Sequence, residues 1–398
     1  MHAMEMGYAR SGEGPGTLRK RIRLARHFRG RRMQHGSMTA GNAIRANSAA
    51  VMTSRVQLLL GLASALALIH SGSARAQVAE PYKSEYKLST AVGPAYPWGK
   101  GAEIWAQLIR ERTAGRISVR QFPGASAVGG DPALEFAALR DGTIDLAVGS
   151  SLNWAPQIKA LNLFALPFLV GDQGALDALL RDEVGATVLR AVEEAGVVPL
   201  AWGHNDFREI STTQRALHGP EDLAGLRVRC GGPPILEDLL VAFGAVPTRM
   251  KWLDAQKALL AGSIDGQDTT AQAFVATKSH TLGQKYMTLW RLAADPLIFA
   301  VSRAAWNTWT AEDREAVRQA AVVAASREIE LARRAATTAE TSITRDLKSA
   351  GVIVTRLTPD ERGAFVAASR MVFEKWASEV GTDLVKRAQV AIASSPYQ

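Results

Sequence analysis

The sequence predicts an α/β protein of two lobes with a cleft between them, and three observations lead to this prediction. The chain has 398 residues, and at roughly 100–200 residues per domain this length fits about two domains. Short β-branched segments alternate with helical patterns after Gln77, an order typical of parallel sheets with crossover helices. The turn 142–145, Gly-Thr-Ile-Asp, recurs as Gly-Ser-Ile-Asp at 262–265, which favours two lobes of related construction.

The first lobe alternates predicted strands and helices. Its predicted strands are 85–92, 116–122, 144–148 and 197–202, and its predicted helices are 98–112 and 134–140. The second helix is expected to end at Asp141 and Gly142, because glycine readily adopts the left-handed conformation that closes many helices. The same alternation is predicted in the second lobe, with a strand at 226–230 and helices at 234–243 and 255–260. Strands at 288–292 and 297–302 are predicted to return across the lobes.

A long helix is predicted near the C-terminus. Thr310 is a suitable N-cap, followed by Glu312 and Asp313 in the first turn, and helical periodicity continues to about residue 350. Such a helix of about 40 residues would be about 60 Å long at 1.5 Å per residue. Because this exceeds one lobe, the helix is expected to contact both. A further helix is expected to begin at Thr358 with a capping box.

The basic charge of the chain is confined to its N-terminal part. The full sequence has 47 Lys+Arg and 38 Asp+Glu, a net charge of +9. Residues 1–76 hold 12 of the basic and 2 of the acidic residues, which leaves 35 and 36 in residues 77–398. The main part of the chain is therefore nearly neutral, and no nucleic-acid partner is predicted.

Residues 52–76 have the order of a Sec-type secretory signal peptide. Arg55 precedes an apolar stretch over 56–69, and the motif Ala-Arg-Ala ends at Ala76. The stretch is shorter than the roughly 20 residues of a membrane-spanning helix, so the mature protein is predicted to be periplasmic, cleaved after Ala76 and not membrane-spanning. Residues 1–51 are interpreted as a mis-called start or a disordered basic extension, with a basic DNA-binding tail as the alternative.

The sequence lacks the common catalytic and metal-binding motifs. Cys230 is the single cysteine, so neither an internal disulfide nor a cysteine-based zinc site can form. Residues 77–398 contain His204, His218 and His280 as their only histidines, without a phosphate loop or a serine nucleophile elbow. We therefore predict no cofactor, no metal and no enzymatic activity.

Seven segments occur in an order that resembles one transport family. They are Gly-Arg-Ile-Ser-Val at 115–119, Leu-Arg-Asp-Gly-Thr-Ile-Asp-Leu-Ala-Val at 139–148, Leu-Phe-Ala-Leu-Pro-Phe-Leu at 163–169, Phe-Arg-Glu-Ile-Ser at 207–211, Asp-Leu-Ala-Gly-Leu-Arg-Val-Arg at 222–229, Phe-Gly-Ala-Val-Pro-Thr at 243–248 and Gly-Ser-Ile-Asp-Gly-Gln at 262–267. The series covers essentially all of 84–390. It resembles the periplasmic substrate-binding subunits of tripartite ATP-independent periplasmic (TRAP) transporters.

This resemblance implies a two-lobed periplasmic binding protein fold with hinge strands and a long lobe-spanning helix. The predicted lobe I comprises 77–205 plus about 294–333, and lobe II comprises 206–293 plus about 334–398. The resemblance also implies that an organic acid binds between the lobes and is delivered to TRAP membrane permease subunits, with an ion gradient and not ATP as the energy source.

The resemblance implies binding residues from the second lobe. Arg229 matches the arginine that pairs with the ligand carboxylate, a role suited to a planar guanidinium that makes two parallel hydrogen bonds. Arg208 matches a second arginine that often approaches the ligand. Trp252 falls where the family places an aromatic ring, while Asp268 and Thr269 occupy a position that often carries an acidic residue followed by an aromatic or an amide. Thr269 departs from that pattern.

The predicted first-lobe wall contains Ser150, Asn153 and Trp154, which follow a strand at the edge where α/β clefts bind ligands. Tyr96 and Trp98 follow the first strand and are predicted to shape the site. Some family members carry charged residues where this chain has Ser150 and Asn153, so a ligand with one carboxylate and modest polarity is expected. Two alternatives remain open, namely a sensor or orphan binding protein, and a secreted enzyme on the same scaffold.

Overall fold

The computed structural model describes residues 82–394, with the exception of the side chains at 253 and 335–343. The predicted N-terminal extension, the predicted signal peptide and the cleavage site after Ala76 lie outside the described residues.

Eleven strands and twelve α-helices are present in the described residues. The strands are β1 (Tyr86–Thr90), β2 (Val119–Phe122), β3 (Leu146–Ser150), β4 (Val197–Phe207), β5 (Glu209–Thr212), β6 (Arg227–Cys230), β7 (Val246–Arg249), β8 (Gly266–Thr269), β9 (Tyr286–Leu289), β10 (Ala294–Ser302) and β11 (Ile353–Arg356). The helices are α1 (Pro97–Arg112), α2 (Glu135–Arg140), α3 (Ser151–Trp154), α4 (Gln173–Arg181), α5 (Glu183–Glu194), α6 (Pro234–Ala242), α7 (Trp252–Leu260), α8 (Ala271–Ala276), α9 (Arg303–Thr308), α10 (Ala311–Ser349), α11 (Pro359–Val380) and α12 (Thr382–Ala393).

The strands form two separate sheets. The first has the order β2-β1-β3-β10-β4, in which β1 is parallel to β2 and β3 while β10 is antiparallel to β3 and β4. The second has the order β11-β9-β5-β8-β6-β7, in which β5 is antiparallel to both of its neighbours. Strand β10 follows β9 of the second sheet in the chain and returns to the first sheet, as the sequence predicted for residues 297–302.

The two sheets are joined by two hinge strands. Strand β4 ends in the first sheet at Phe207, and β5 begins in the second at Glu209. The return crossing runs from β9 to β10. The two crossings pair with each other, because the backbone N–H of Arg208 donates to the Ala293 carbonyl at 2.8 Å and the N–H of Leu292 donates to the Arg208 carbonyl at 3.1 Å. Arg208 is therefore the residue at which the two crossings are tied together.

The long helix α10 contacts elements of both lobes, as predicted. It packs on α1 and β4 at its N-terminal end and on α8 and β11 further along. The side-chain amide of Gln272 in α8 donates to the Ala332 carbonyl at 3.3 Å. The helix begins at the predicted N-cap, where the Thr310 hydroxyl accepts from the N–H of Asp313 at 3.1 Å. One helix therefore braces the elements on both sides of the hinge.

The C-terminal helices add further contacts across the predicted lobe boundary. Helix α11 packs both on α6 and on the 3₁₀ segment Lys159–Ala165, and it begins with the predicted capping box at Thr358 and Glu361. Helix α12 packs on α4 and α5, helices of the segment assigned to lobe I, although residues 334–398 were assigned to lobe II. Its buried apolar residues Leu384, Val385 and Ala388 explain this position. The exact division of the lobes stays a prediction.

A buried glutamate of α10 lies against β4 close to the hinge. Glu328 has no exposed area, and its Oε2 accepts from the backbone N–H of His204 at 2.8 Å. Gly101 and Gly203 leave the room that the carboxyl needs, since a Cβ at Gly203 would lie 2.8 Å from Oε2. Burial raises the pKa of Glu328 to about 8, and the hydrogen bond from His204 opposes that shift only in part.

We expect Glu328→Gln to stabilise the protein at alkaline pH but not at acidic pH. A carboxyl whose pKa is higher in the folded state than the unfolded value of 4.5 costs stability as the pH rises from about 5 to about 8. Glutamine avoids this cost and can still accept from His204. The difference in Tm between variant and wild type should grow by at least about 2 °C between these pH values.

Differential scanning calorimetry at both pH values tests this expectation. Glu374→Gln, at an exposed position of α11, is the matched control and should change Tm equally at both. An equal Tm difference for Glu328→Gln at both pH values would contradict the expectation.

Candidate ligand-binding site

Arg229 lies on β6, an inner strand of the second sheet between β8 and the edge strand β7. The residue is 9% exposed. Its Nε donates to the Met250 carbonyl at 3.1 Å, and its Nη1 makes a longer contact of 3.4 Å with the Asp268 carbonyl. Burial lowers the pKa of the Arg229 guanidinium. No carboxylate within the described part of the chain forms an ion pair with Arg229, so this buried cation is available for an anion.

Arg208, in contrast, is paired within the chain. Its Nε donates to Oδ1 of Asp268 at 2.9 Å, and its Nη2 donates to Oδ2 of the same carboxylate. The two side chains are only 15% and 7% exposed. Asp268 lies on β8, the strand that neighbours both β5 and β6. The structure thus brings together Arg208, Asp268 and Arg229, three of the residues that the sequence analysis singled out.

A buried aspartate of the first sheet, Asp295, interacts electrostatically with Arg208. Asp295 follows the return crossing on β10, and its Oδ1 accepts from the Ser150 hydroxyl at 2.5 Å and from the N–H of Leu152 at 3.3 Å. Its Oδ2 accepts from the side-chain amide of Asn205 at 2.8 Å. Burial raises the pKa of Asp295, although the charge of Arg208 and these hydrogen bonds act in the opposite direction.

The hydroxyl of Ser150 is therefore engaged in hydrogen bonds within the protein. Its hydroxyl proton goes to Asp295, and its oxygen accepts from the N–H of Asn153 at 3.3 Å, which caps α3. Neither Asp295 nor Asn205 was predicted as a site residue from the sequence. A signal for Asp295 was present, because it is the one charged residue in the nine-residue strand β10.

Two of the first-lobe residues predicted to line or shape the site lie in the hydrophobic core. Trp154 has no exposed area and packs at 5.5 Å from the Phe136 ring, directly over Gly149. Trp98 is 6% exposed and donates its indole N–H to the Val148 carbonyl at 2.7 Å. Tyr96 precedes α1 and is half-buried, and burial raises the pKa of its hydroxyl. Aromatic residues near strand ends serve packing as readily as binding, and residue type alone does not distinguish the two.

The remaining candidates, Trp252 and Thr269, belong to the second lobe. Trp252 is the first residue of α7 and is 36% exposed. Thr269 is buried beside Asp268, and its hydroxyl donates to the Thr270 carbonyl at 3.3 Å. Next to Trp252, the Lys251 ammonium lies 3.6 Å from the Asp131 carboxylate of the first lobe. This ion pair joins the two rims.

The single cysteine does not form part of a reactive site. Cys230 is buried at the end of β6, and burial raises the pKa of its thiol to about 12. The residues from 82 to 394 contain no group of three or more His, Cys, Asp or Glu side chains arranged to hold a metal ion. Within the same residues, no helix combines the length and the hydropathy needed to cross a bilayer.

A separate groove of about 640 Å³ lies between α4, β4 and α10. Each arginine that lines it has an acidic partner in the chain, since Arg181 and Arg333 both pair with Asp177 and Arg334 pairs with Glu330. This groove lacks the feature that distinguishes Arg229, a buried cation without an ion-paired carboxylate.

Two α/β lobes joined by paired hinge strands, with a buried cation on an inner strand of the second sheet and an ion pair between their rims, define a two-lobed solute-binding protein. The model of the family "Bacterial extracellular solute-binding protein, family 7" matches residues 88–379. The chain belongs to this family, which contains the substrate-binding subunits of TRAP transporters. The family and the fold expected from the seven sequence segments are therefore confirmed.

Several relatives are similar over most of the chain. A TRAP periplasmic solute-binding protein of Ralstonia eutropha, crystallised with (S)-2-acetolactate, is 51% identical with a TM-score of 0.76, over 78% of this chain and 99% of that one. One from Sulfurospirillum deleyianum, with bound succinate, is 26% identical with a TM-score of 0.72, over 77% and 98%. The C4-dicarboxylate-binding protein DctP of Rhodobacter capsulatus is 27% identical over 86% of this chain and 100% of its own length.

Binding proteins of this family are transport components that work with a membrane permease. The individual binding residues of this chain, from Tyr96 to Thr269, stay predictions.

Proposed function

We propose that this protein captures a short organic acid between its lobes in the periplasm and delivers it to a TRAP permease. The observation that carries this proposal is the buried guanidinium of Arg229, which has no ion-paired carboxylate among residues 82–394. A buried charge is costly unless it is paired. A ligand carboxylate supplies the missing charge and accepts two parallel hydrogen bonds from the guanidinium.

The proposed ligand carries one carboxylate together with hydroxyl or keto groups. The relative with 51% identity holds (S)-2-acetolactate, that is, 2-hydroxy-2-methyl-3-oxobutanoate, which has one carboxylate and two neutral oxygen functions. The first-lobe candidates Asn153 and Asn205 are likewise polar and uncharged. Amides and hydroxyls suit hydroxyl and keto oxygens better than a second charge.

The candidate residues take different parts in this proposal. Arg229 anchors the carboxylate, and Asn153, Asn205, Tyr96, Trp252 and Thr269 are proposed to shape the site around the rest of the ligand. Arg208, Asp268, Asp295 and Ser150 hold the surrounding elements in place. Trp98 and Trp154, which lie in the core, act through packing.

We further propose that binding shifts an equilibrium between open and closed arrangements of the lobes. A ligand that contacts both lobes has a higher affinity for the closed arrangement and so favours it. The ion pair between Lys251 and Asp131 lies where such a closure brings the rims together.

Native mass spectrometry of the protein secreted by its own host tests the proposal. We expect a chain that begins at Gln77, after cleavage behind Ala76, with one organic acid bound. Isothermal titration calorimetry should then show one site for (S)-2-acetolactate or a related hydroxy or keto acid. Recovery of the acid chemically unchanged supports a binding protein. Turnover of the acid would favour the enzyme alternative, and failure of any organic acid to bind would contradict the proposal.

A further inference from the structure

The second lobe meets the first lobe at a turn of two glycines. Gly231 and Gly232 directly follow β6, the strand that carries Arg229. A Cβ at Gly232 would lie 3.4 Å from the backbone carbonyl oxygen of Leu152 and 3.6 Å from its Cβ. Leu152 belongs to α3, which follows β3 of the first sheet. The lobes are therefore so close at this point that a single side-chain carbon would fill the gap between them.

Two features make glycine the residue that suits this contact. Gly232 has a φ of +83°, a left-handed conformation that other residues adopt only at a cost. A side chain longer than one carbon would also press against Leu152. That residue is held in place, because it is buried and its N–H donates to the carboxylate of Asp295 at 3.3 Å. A larger side chain at position 232 would therefore hold the lobes apart.

The glycine turn is fixed to its own lobe by Arg249. The Nη1 of Arg249 donates to the Gly232 carbonyl at 2.7 Å, and its Nη2 pairs with the carboxylate of Glu237 in α6. Arg249 ends β7, the strand that pairs with β6. The loop after β7 reaches the first lobe as well, since Lys251 lies 3.6 Å from Asp131. The second lobe thus contacts the first through the loops that follow two neighbouring strands.

From this geometry we infer that Gly232 is a positioning residue for lobe closure. It is the point at which the second lobe docks on α3 of the first, and its lack of a side chain permits the approach that retains the ligand. Gly232 and Leu152 both lie beyond the carboxyl ends of their strands, where α/β clefts hold ligands. This inference rests on the proposed function, because a ligand that contacts both lobes favours the closed arrangement.

A pair of cysteines tests whether the ligand brings these two residues together. Leu152→Cys combined with Gly232→Cys, in a Cys230→Ala background, places two thiols on Cβ positions 3.6 Å apart, within the roughly 3.5–4.5 Å of a disulfide. We expect saturating (S)-2-acetolactate to raise the rate of disulfide formation in a glutathione buffer by about tenfold or more. Alkylation of the free thiols followed by mass spectrometry measures this rate. If native mass spectrometry of the wild type recovers a different acid, that acid is used instead.

A second pair with the same local geometry lies within one lobe and is the matched control. A Cβ at Gly244 would lie 3.6 Å from the Cβ of Ala224, and Gly244 has a φ of +79°. Both residues belong to the segment 206–293 that is assigned to the second lobe. Ala224→Cys combined with Gly244→Cys, in the same background, should form its disulfide at a rate that the acid does not change. The comparison separates lobe closure from local strain and from the action of the oxidant.

A single substitution covers the case in which the buried Leu152→Cys change prevents folding. Gly232→Asn introduces a side chain at the contact, and asparagine is among the residues that best tolerate a positive φ. Gly225→Asn is its control, because Gly225 has a φ of +74° and a Cβ there would meet open space among the described residues. Isothermal titration calorimetry should show binding of the same acid weakened about tenfold or more by Gly232→Asn and unchanged by Gly225→Asn.

The outcomes distinguish the inference from the function on which it rests. A disulfide between positions 152 and 232 that fails to form in the folded variant, or that forms equally fast with and without the acid, overturns the inference. Wild-type affinity in Gly232→Asn overturns it as well. If the wild-type protein binds no organic acid, the proposed function fails instead.

Discussion

Arg229→Ala is expected to abolish the thermal stabilisation that an organic acid confers, while the ligand-free protein still folds. A ligand at a hundred times its Kd stabilises the folded state by about 2.7 kcal/mol. Loss of the paired guanidinium costs about 2–5 kcal/mol of binding free energy, which removes most of this stabilisation at the lower value and all of it at the higher. The free protein loses little, because the replaced cation makes no ion pair within residues 82–394.

Differential scanning fluorimetry with and without the acid measures both quantities. Arg227→Ala is the matched control, since Arg227 lies two residues earlier on β6 and pairs with Asp265. It should keep the full ligand-induced shift in Tm. Arg229→Lys keeps the charge but not the planar pair of donors, and is expected to retain part of the shift. A wild-type shift in Arg229→Ala would show that another residue anchors the ligand.

Trp290→Ala is expected to cost about 3–5 kcal/mol of the free energy of unfolding. Trp290 is 2% exposed and lies directly after β9, in the return crossing between the sheets. Its ring is 5.9 Å from that of Phe243, 5.4 Å from that of Phe365 in α11, and 6.5 Å from that of Phe168. One side chain therefore holds together three segments that are distant in sequence.

Chemical denaturation of the ligand-free protein, followed by far-ultraviolet circular dichroism, measures this cost. Met371→Ala is the control, because Met371 is a 73% exposed residue of α11 and surface substitutions usually change stability by about 0.5 kcal/mol or less. A loss below about 1 kcal/mol for Trp290→Ala would mean that the surrounding rings close the cavity without it.

The helices with strong local signals were predictable from the sequence. Helix α1 begins at Pro97, next to the predicted residue 98, because proline suits the first turn. Helix α10 follows directly on its predicted N-cap, Thr310. Helices α4 and α5 were missed, although Asp172 and Asp182 cap them. Both helices also have apolar residues on one face, which pack towards α12, so their sequences carried the signals of amphipathic helices that were overlooked.

The hinge strand β4 illustrates a second reason why the sequence-based prediction was incomplete. Strand β4 was predicted over 197–202 but continues to Phe207. His204 and Asn205 interrupt its apolar pattern, yet Glu328 accepts from the His204 backbone and Asp295 accepts from the Asn205 amide. Both acceptors come from segments about 90 residues or more away. Polar residues in a strand are tolerated when tertiary partners satisfy them.

The sequence predicted the position of the candidate anchor Arg229 but not the hydrogen bonds of the residues around it. Arg229 was placed correctly on a strand of the second sheet, because the pattern 226–230 was clear. The pairing of Arg208 with Asp268 spans 60 residues and that of Ser150 with Asp295 spans 145. Nothing in the sequence alone shows that these donors are already occupied.

The buried state of Cys230 has a practical consequence for following ligand capture in solution. Since the chain has no other cysteine and this thiol has its pKa raised to about 12 by burial, maleimide dyes would spare it in the folded protein. Cysteines introduced in place of Lys251 and Asp131, whose side chains are 3.6 Å apart across the rims, would carry the label. The protein could then serve as a fluorescent biosensor for the acid it binds, with the two dyes reporting the distance between the rims.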